Sequence, residues 1–303
     1  MSGRVVVLGS VNADLVLRCT SLPAPGETVH GRDFRTLPGG KGANQAIAAA
    51  RLGAAVAFIG CVGDDDFGHT AQRVLAGEGI DTTHLHVVPG VASGVAMILV
   101  DDAGQNSIAI AAGANAALTE AHVDAAASLF DGAALFVCQL ESPLAVVRHA
   151  IGRARAAGVP VLLNPAPAQA LPVELLAEVD VLVPNETEAA MLVGAEPDAA
   201  FDAADAAARL RALGPATVLL TLGADGVQVD TEGLMGRFAA PATGRVVDTT
   251  GAGDTFIGAY AAARIEGASV AAAAAFAQKA AALSVTRPGA VGGMPYRHEV
   301  GTP

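Results

Sequence analysis

The stretch VVVLGSVNAD, Val5 to Asp14, decides the fold. Its first four residues are all apolar, without the alternation of a strand that has one wet face. A short continuous run of this kind reads as a strand buried on both sides, as in a parallel sheet covered by helices. The same pattern returns in VAFIG (56–60), ALFVC (134–138), VPVLLN (159–164), VDVLVPN (179–185) and ATVLLTLG (216–223), with Ala-rich segments of helical length between them. The class is therefore α/β, a doubly wound and mostly parallel sheet with helices on both faces. Polar residues that follow such strands fall where open α/β sheets bind their ligands. Asn12 and Asp14 sit at the end of the first strand, and their spacing of two on extended chain points both to one side.

Two regions break the rhythm. Residues 13–38 read as two strands (ADLVLRCT and ETVHGRDFRTL) around SLPAPG, and residues 92–111 as two strands around Asp102-Ala103-Gly104. Together they are expected to form a small sheet over one end of a main domain made of residues 1–12, 39–91 and 112–303. Helix starts are marked at Ser142-Pro143, read as an N-cap followed by proline at the first helical position. Asn185 and Glu188 have capping-box spacing.

The chain of 303 residues is 52% hydrophobic but only 4% aromatic, so its core is expected to be Ala, Val, Leu and Ile; the alanine reads as coding bias as much as structural device. A formal charge of -12 argues against a nucleic-acid partner, whose phosphates call for Lys and Arg. An anionic ligand would need backbone dipoles and bound cations to hold it. The amino terminus enters the first strand without a signal-peptide pattern, no apolar run is long enough for a membrane span, and three scattered cysteines suit a reducing compartment. A cytoplasmic protein is expected. His84 and His86 lack a third ligand for a transition metal.

The chemistry concentrates in DTTGAGDTFIGAY, Asp248 to Tyr260. Gly251, Ala252 and Gly253 before Asp254 and an apolar run read as a helix amino terminus whose amides could surround a phosphoryl group while Asp254 takes a proton. An ordinary Gly-rich turn gives the same letters. LPGGKGANQA, 37–46, carries Lys41, one of only two lysines, with Gly40 and Asn44 beside it. It reads as a small-ligand site or as a Gly-rich entry to a helix over 43–52. Glu141 follows ALFVC, and Glu188 reads either as a cap or as a carboxylate meeting Mg²⁺ through water.

In order along the chain, GSVNAD, PGET, GGKGANQA, GDDDFG, GANAAL, QLESP, LNPAPA, PNETEA, TLGADG, DTTGAGDTF and VTRPGA resemble the ribokinase family of sugar kinases. The resemblance implies ATP-dependent phosphorylation of D-ribose at O5, with Asp254 as base and Gly251, Ala252 and Gly253 as anion hole. It also implies that Asn12, Asp14, Gly40, Lys41, Asn44 and Glu141 hold the sugar. ATP would lie around Asn185, Thr221, Gly223, Asp225, Gly226 and Gly253, with Gln278 near adenine in place of the usual His or Asn. K⁺ would lie at Asp248, Thr250, Ser284, Arg287, Gly289 and Gly293, where Gly293 replaces an expected serine. The small sheet would act as a lid that pairs two subunits into a homodimer. A kinase for deoxyribose, fructose or adenosine, or a non-catalytic sugar-binding regulator, stays open; an NAD-dependent oxidoreductase is disfavoured by the absence of a strand-linked GxGxxG.

Overall fold

The computed structural model describes residues 3–195 and 201–303. Its strands are β1 (Val5–Leu8), β2 (Asn12–Cys19), β3 (Gly31–Gly39), β4 (Val56–Gly63), β5 (Asp81–Val88), β6 (Gly94–Val100), β7 (Asn106–Ala111), β8 (Leu135–Cys138), β9 (Val161–Leu163), β10 (Val181–Leu182), β11 (Thr217–Thr221), β12 (Val227–Thr231) and β13 (Leu234–Phe238). Helices are α1 (Lys41–Arg51), α2 (Asp66–Gly77), α3 (Glu120–Ala125), α4 (Leu144–Ala156), α5 (Val173–Leu176), α6 (Glu186–Val193), α7 (Ala203–Ala212), α8 (Ala252–Ile265), α9 (Val270–Ser284), α10 (Ala290–Gly293) and α11 (Arg297–Val300).

Nine strands form one sheet in the order β13-β12-β11-β10-β9-β8-β1-β4-β5, parallel from β5 to β11 and antiparallel only where β12 joins β11 and β13. Successive side chains of a strand point to opposite faces. Val5 and Val7 accordingly enter a core shared with α1, α8 and α9, whereas Val6 and Leu8 enter a second core on the other face with α4 and α7. The unbroken apolar runs are explained by these two cores. The small sheet is also present, in the order β3-β2-β6-β7.

Small residues let two helices meet closely. At Gly258 of α8 a Cβ would fall 2.5 Å from Ala48 Cβ and 2.6 Å from the Ala49 nitrogen of α1. Among the described residues no helix is long and apolar enough to cross a membrane, and all three cysteines are buried and free.

Several local expectations are corrected. Asn12 and Asp14 do not end β1, which stops at Leu8; they begin β2 of the small sheet. The strand expected from Glu27 starts only at Gly31, and α1 begins at Lys41 rather than at residue 43. Pro143 itself occupies the N-cap of α4, with no side-chain cap, and the buried Ser142 hydroxyl has no partner among the described residues. The α6 capping box forms as expected: Asn185 Oδ1 accepts from the Glu188 amide at 2.8 Å and Glu188 Oε2 from the Asn185 amide at 2.9 Å.

Candidate active site

Asp254 lies in the first turn of α8, whose N-cap is Gly251 with a left-handed φ of 74°. This glycine could not carry a side chain without displacement, because a Cβ would stand 2.7 Å from Ala290 Cβ. The first amides of a helix lack intrahelical acceptors. Here the Ala252 amide donates to the Thr249 carbonyl at 3.2 Å, while the Gly253 and Asp254 amides have no backbone acceptor among the described residues. Gly253 is exposed, and both residues line a cavity that also touches Lys41, Asn185 and Glu188.

The carboxylate of Asp254 is gripped from α1. Asn44 Nδ2 donates to Oδ2 at 2.9 Å and Gln45 Nε2 to Oδ1 at 3.0 Å. Burial pushes its pKa up, against the pull of Lys41 and these two donors. Lys41 opens α1 beside Gly40. The Lys41 backbone amide donates to Glu141 at 3.1 Å, and Glu141 also accepts from the Ser10 hydroxyl.

Asn12 and Asp14 share one face of β2, in register with Gly39 and Leu37 of β3. Asn12 Oδ1 accepts from Asn115 Nδ2 at 2.8 Å, and Asn115 fastens the Val11 backbone through its own amide. Asp14 is pushed up to about 7 by burial, then by Glu141 and Asp254, with Lys41 opposing. A carboxyl whose native pKa is raised stabilises the fold at low pH and loses that contribution as pH rises through about 7. Because the loss accrues from the ordinary value of 3.8 up to about 7, Asp14→Asn is expected to gain several degrees of Tm over the wild type at pH 8 and clearly less at pH 5. Thermal melts at the two values check this; an equal difference at both would contradict it.

A second, larger cleft of about 620 Å³ adjoins the first through Asn185, Thr221, Ala252 and Gly253. Its wall includes Gly223, Gly226 and Gln278, and it is largely apolar toward Phe256, Ala281 and Val285. Gln278 is buried and its Oε1 has no partner among the described residues, which leaves an acceptor for a ligand donor. Asp225 lies nearby in sequence, but its exposed side chain pairs with Arg237 at 3.0 Å.

Behind Gly251 the structure gathers the remaining predicted positions. Burial pushes Asp248 up, but donors from Thr250 and Gly289, with Arg18 nearby, hold it below the ordinary carboxylate range. Gly293 approaches the Ser284 carbonyl so closely that a Cβ would fall 2.7 Å from it, with the Arg287 carbonyl 3.5 Å away. The serine expected from the family pattern would require the Ser284 carbonyl to shift. The Arg287 side chain turns away to Glu299, so only its carbonyl could face a cation. One carboxylate with neutral carbonyls is a hard-oxygen donor set that fits an alkali cation. Around the first cavity, Asp14, Glu141, Glu188 and Asp254 face the single ammonium of Lys41. The Glu188 pKa is raised by burial. Among the described residues no group of three or more His, Cys, Asp or Glu could hold a metal ion directly; with both Glu188 oxygens already accepting from Asn185, a divalent cation would meet this carboxylate through water.

Sequence reasoning missed Gln45, Asn115, Gln139 and Asn164. Each lies in a motif of the family resemblance (GGKGANQA, GANAAL, QLESP and LNPAPA) but was given no role; for Gln45 the helical spacing with Lys41 and Asn44 puts it on their face.

The chain is 45% identical to a ribokinase of Haemophilus influenzae over 99% of its own length and 97% of the relative's. It is 41% identical to a deoxyribokinase of Salmonella typhi, covering 94% and 93%. An Arabidopsis thaliana ribokinase structure complexed with ribose and ATP superposes with a TM-score of 0.91 at 36% identity, covering 99% of this chain and 98% of that one. The pfkB family carbohydrate kinase profile matches residues 2–297, and the chain belongs to that family.

Proposed function

We propose that this chain transfers the γ-phosphoryl group of ATP to the 5-hydroxyl of D-ribose, giving D-ribose 5-phosphate and ADP. One observation carries the reading: a carboxylate, Asp254, is held at a helix amino terminus with open amides, where the Lys41 cavity meets the nucleotide-sized cleft. The identity to ribokinases over nearly the whole chain supports the substrate.

Phosphoryl transfer asks the protein mainly for positioning and charge stabilisation. Asn12, Asp14, Gly40, Lys41, Asn44 and Glu141 hold the sugar, with its 5-hydroxyl toward Asp254. That oxygen forms the new bond to the γ-phosphorus as its proton passes to Asp254; the bond from phosphorus to the β-phosphate oxygen breaks, and ADP leaves. The Gly253 and Asp254 amides and Lys41 meet the charge on the transferring group. Asn185, Thr221, Gly223, Gly226 and Gln278 line the nucleotide's place. Mg²⁺, met by Glu188 through water, would neutralise ATP's phosphates. K⁺ at Asp248 and the neighbouring carbonyls would add positive charge behind the anion hole.

The small sheet serves as a lid over the sugar and as a dimer contact. Its face that begins with Asn12 and Asp14 continues outward as Val16, Ile98, Ile108 and Ile110, by strand register, and the last two are exposed. An apolar face of this kind suits a second copy of the chain. Ile108→Asp with Ile110→Asp is expected to convert a dimer to monomer in sedimentation; an unchanged sedimentation coefficient would refute the contact. The free buried cysteines agree with a cytoplasmic setting.

A second reading, phosphorylation of 2-deoxyribose, is favoured by the similarity to a deoxyribokinase. A coupled ADP assay over ribose, deoxyribose, fructose and adenosine, with K⁺ exchanged for Na⁺, tests both. The proposal requires the highest kcat/KM on ribose; ribose binding without ADP release would instead identify a sugar sensor.

A further inference from the structure

Gln45 is 1% exposed, lines neither cavity and touches the reacting carboxylate. Its own orientation is fixed by two other amides. Gln139 Nε2 donates to Gln45 Oε1 at 2.6 Å, and Gln45 Nε2 is shared between Asp254 Oδ1 at 3.0 Å and Asn164 Oδ1 at 3.2 Å. Asn164 in turn donates its amide to the Val183 carbonyl at 2.9 Å, which fixes the oxygen toward Gln45. Turning the Gln45 amide over would set its oxygen against the Asp254 carboxylate and its NH2 against the NH2 of Gln139. The contact with Asp254, like that with the Asn164 oxygen, would be repulsive, so these two acceptors set the direction; Gln139 matches it with a donor, its own Oε1 having no partner among the described residues.

Asp254 is therefore pinned through both oxygens, Oδ1 by Gln45 and Oδ2 by Asn44. Each oxygen keeps a lone pair for a proton. The charged groups facing it are Lys41 of α1, Asp14 of β2, Glu141 beyond β8 and Glu188 of α6. Only Lys41 among them favours the ionised carboxylate.

We propose that Gln45 is a positioning residue for the transfer, setting the plane of the Asp254 carboxylate and holding it ready to accept a proton, with Gln139 and Asn164 locking the amide in its working direction. The inference rests on Asp254 being the base. It extends the catalytic assembly into the buried layer between α1, β8 and β9, where a glutamine that meets no ligand governs turnover rather than binding.

A hydrogen bond donated to a carboxylate favours its charged form, so losing it raises the pKa. The test is kcat and both KM values from pH 5 to 9 for Gln45→Met, Gln45→Glu and Gln139→Leu, with Asp254→Asn alongside. Gln45→Met is expected to lower kcat about tenfold near pH 6 and move the acid limb of the profile upward, with both KM values within about threefold of wild type. Gln45→Glu places a second carboxylate on Asp254; its acid limb should move further and its activity recover partly toward alkaline pH. Gln139→Leu should shift the limb the same way by less. Because buried substitutions risk the fold, titration of ¹³C-carboxyl-labelled aspartate, with the Asp254 signal assigned by its loss in Asp254→Asn, gives a readout that needs no turnover. An unmoved Asp254 titration and acid limb in Gln45→Met and Gln139→Leu would overturn the inference while leaving the base in place. Wild-type turnover in Asp254→Asn would instead remove the base assignment itself.

Discussion

Asp254→Asn is expected to lower kcat by about 10²-fold or more while leaving the affinity for sugar and ATP close to wild type. The substitution keeps the shape of the side chain but removes the only group in the α8 first turn that can take the proton of the attacking hydroxyl. It also sets an amide among the donors of Asn44 and Gln45, which now hold a carboxylate. Initial rates of ADP release at saturating sugar measure the change. Retention of more than a tenth of wild-type kcat would move the base to another residue of the same cavity.

Gly251→Ala is expected to be almost as damaging to turnover and far more damaging to stability. Alanine at φ 74° costs about 1–2 kcal/mol of backbone strain. Its Cβ would in addition fall 2.7 Å from Ala290 Cβ and 2.9 Å from Ala290 Cα, so α8 and α10 must part. The open amides of Gly253 and Asp254 then leave the position that meets developing charge, a loss worth about 10²-fold in kcat. Gly253→Ala supplies the contrast, since nothing stands within 4 Å of its Cβ position and its φ is not positive. Thermal melts should show a large fall for the first variant and almost none for the second. Equal melting temperatures would show that the Gly251 contact relaxes without consequence.

Much of this was legible because it is local. The apolar runs predicted strands buried on both faces, and Val5 to Leu8 do alternate between two cores. Gly251 to Asp254 announced a helix start, and Asn185 with Glu188 announced a capping box; each depends on spacings of a few residues. What escaped depends on distance along the chain. Gln45 meets Asp254 across 209 residues and Asn115 meets Val11 across 104, and an amide side chain carries no mark of its eventual partner. Asn12 and Asp14 were expected at the end of β1, but the chain runs on past Leu8 before it pairs again, and that path is set by β3 and β6. Asp225 sits in a motif whose glycines line the nucleotide cleft, yet nothing local foretold that its carboxylate would turn to Arg237.

The near-contact of α1 and α8 at Gly258 has a mechanical outcome. Lys41, Asn44 and Gln45 ride on one helix and the Gly251 to Asp254 turn on the other, so the spacing of the two backbones sets the gap between acceptor and donor groups. Alanine, which in the bare composition looked like a codon habit, forms with Gly258 a hard stop in this seam. A single added methyl there would wedge the jaws apart, and a shift of about 1 Å can cost 10²-fold in rate even where the protein still folds.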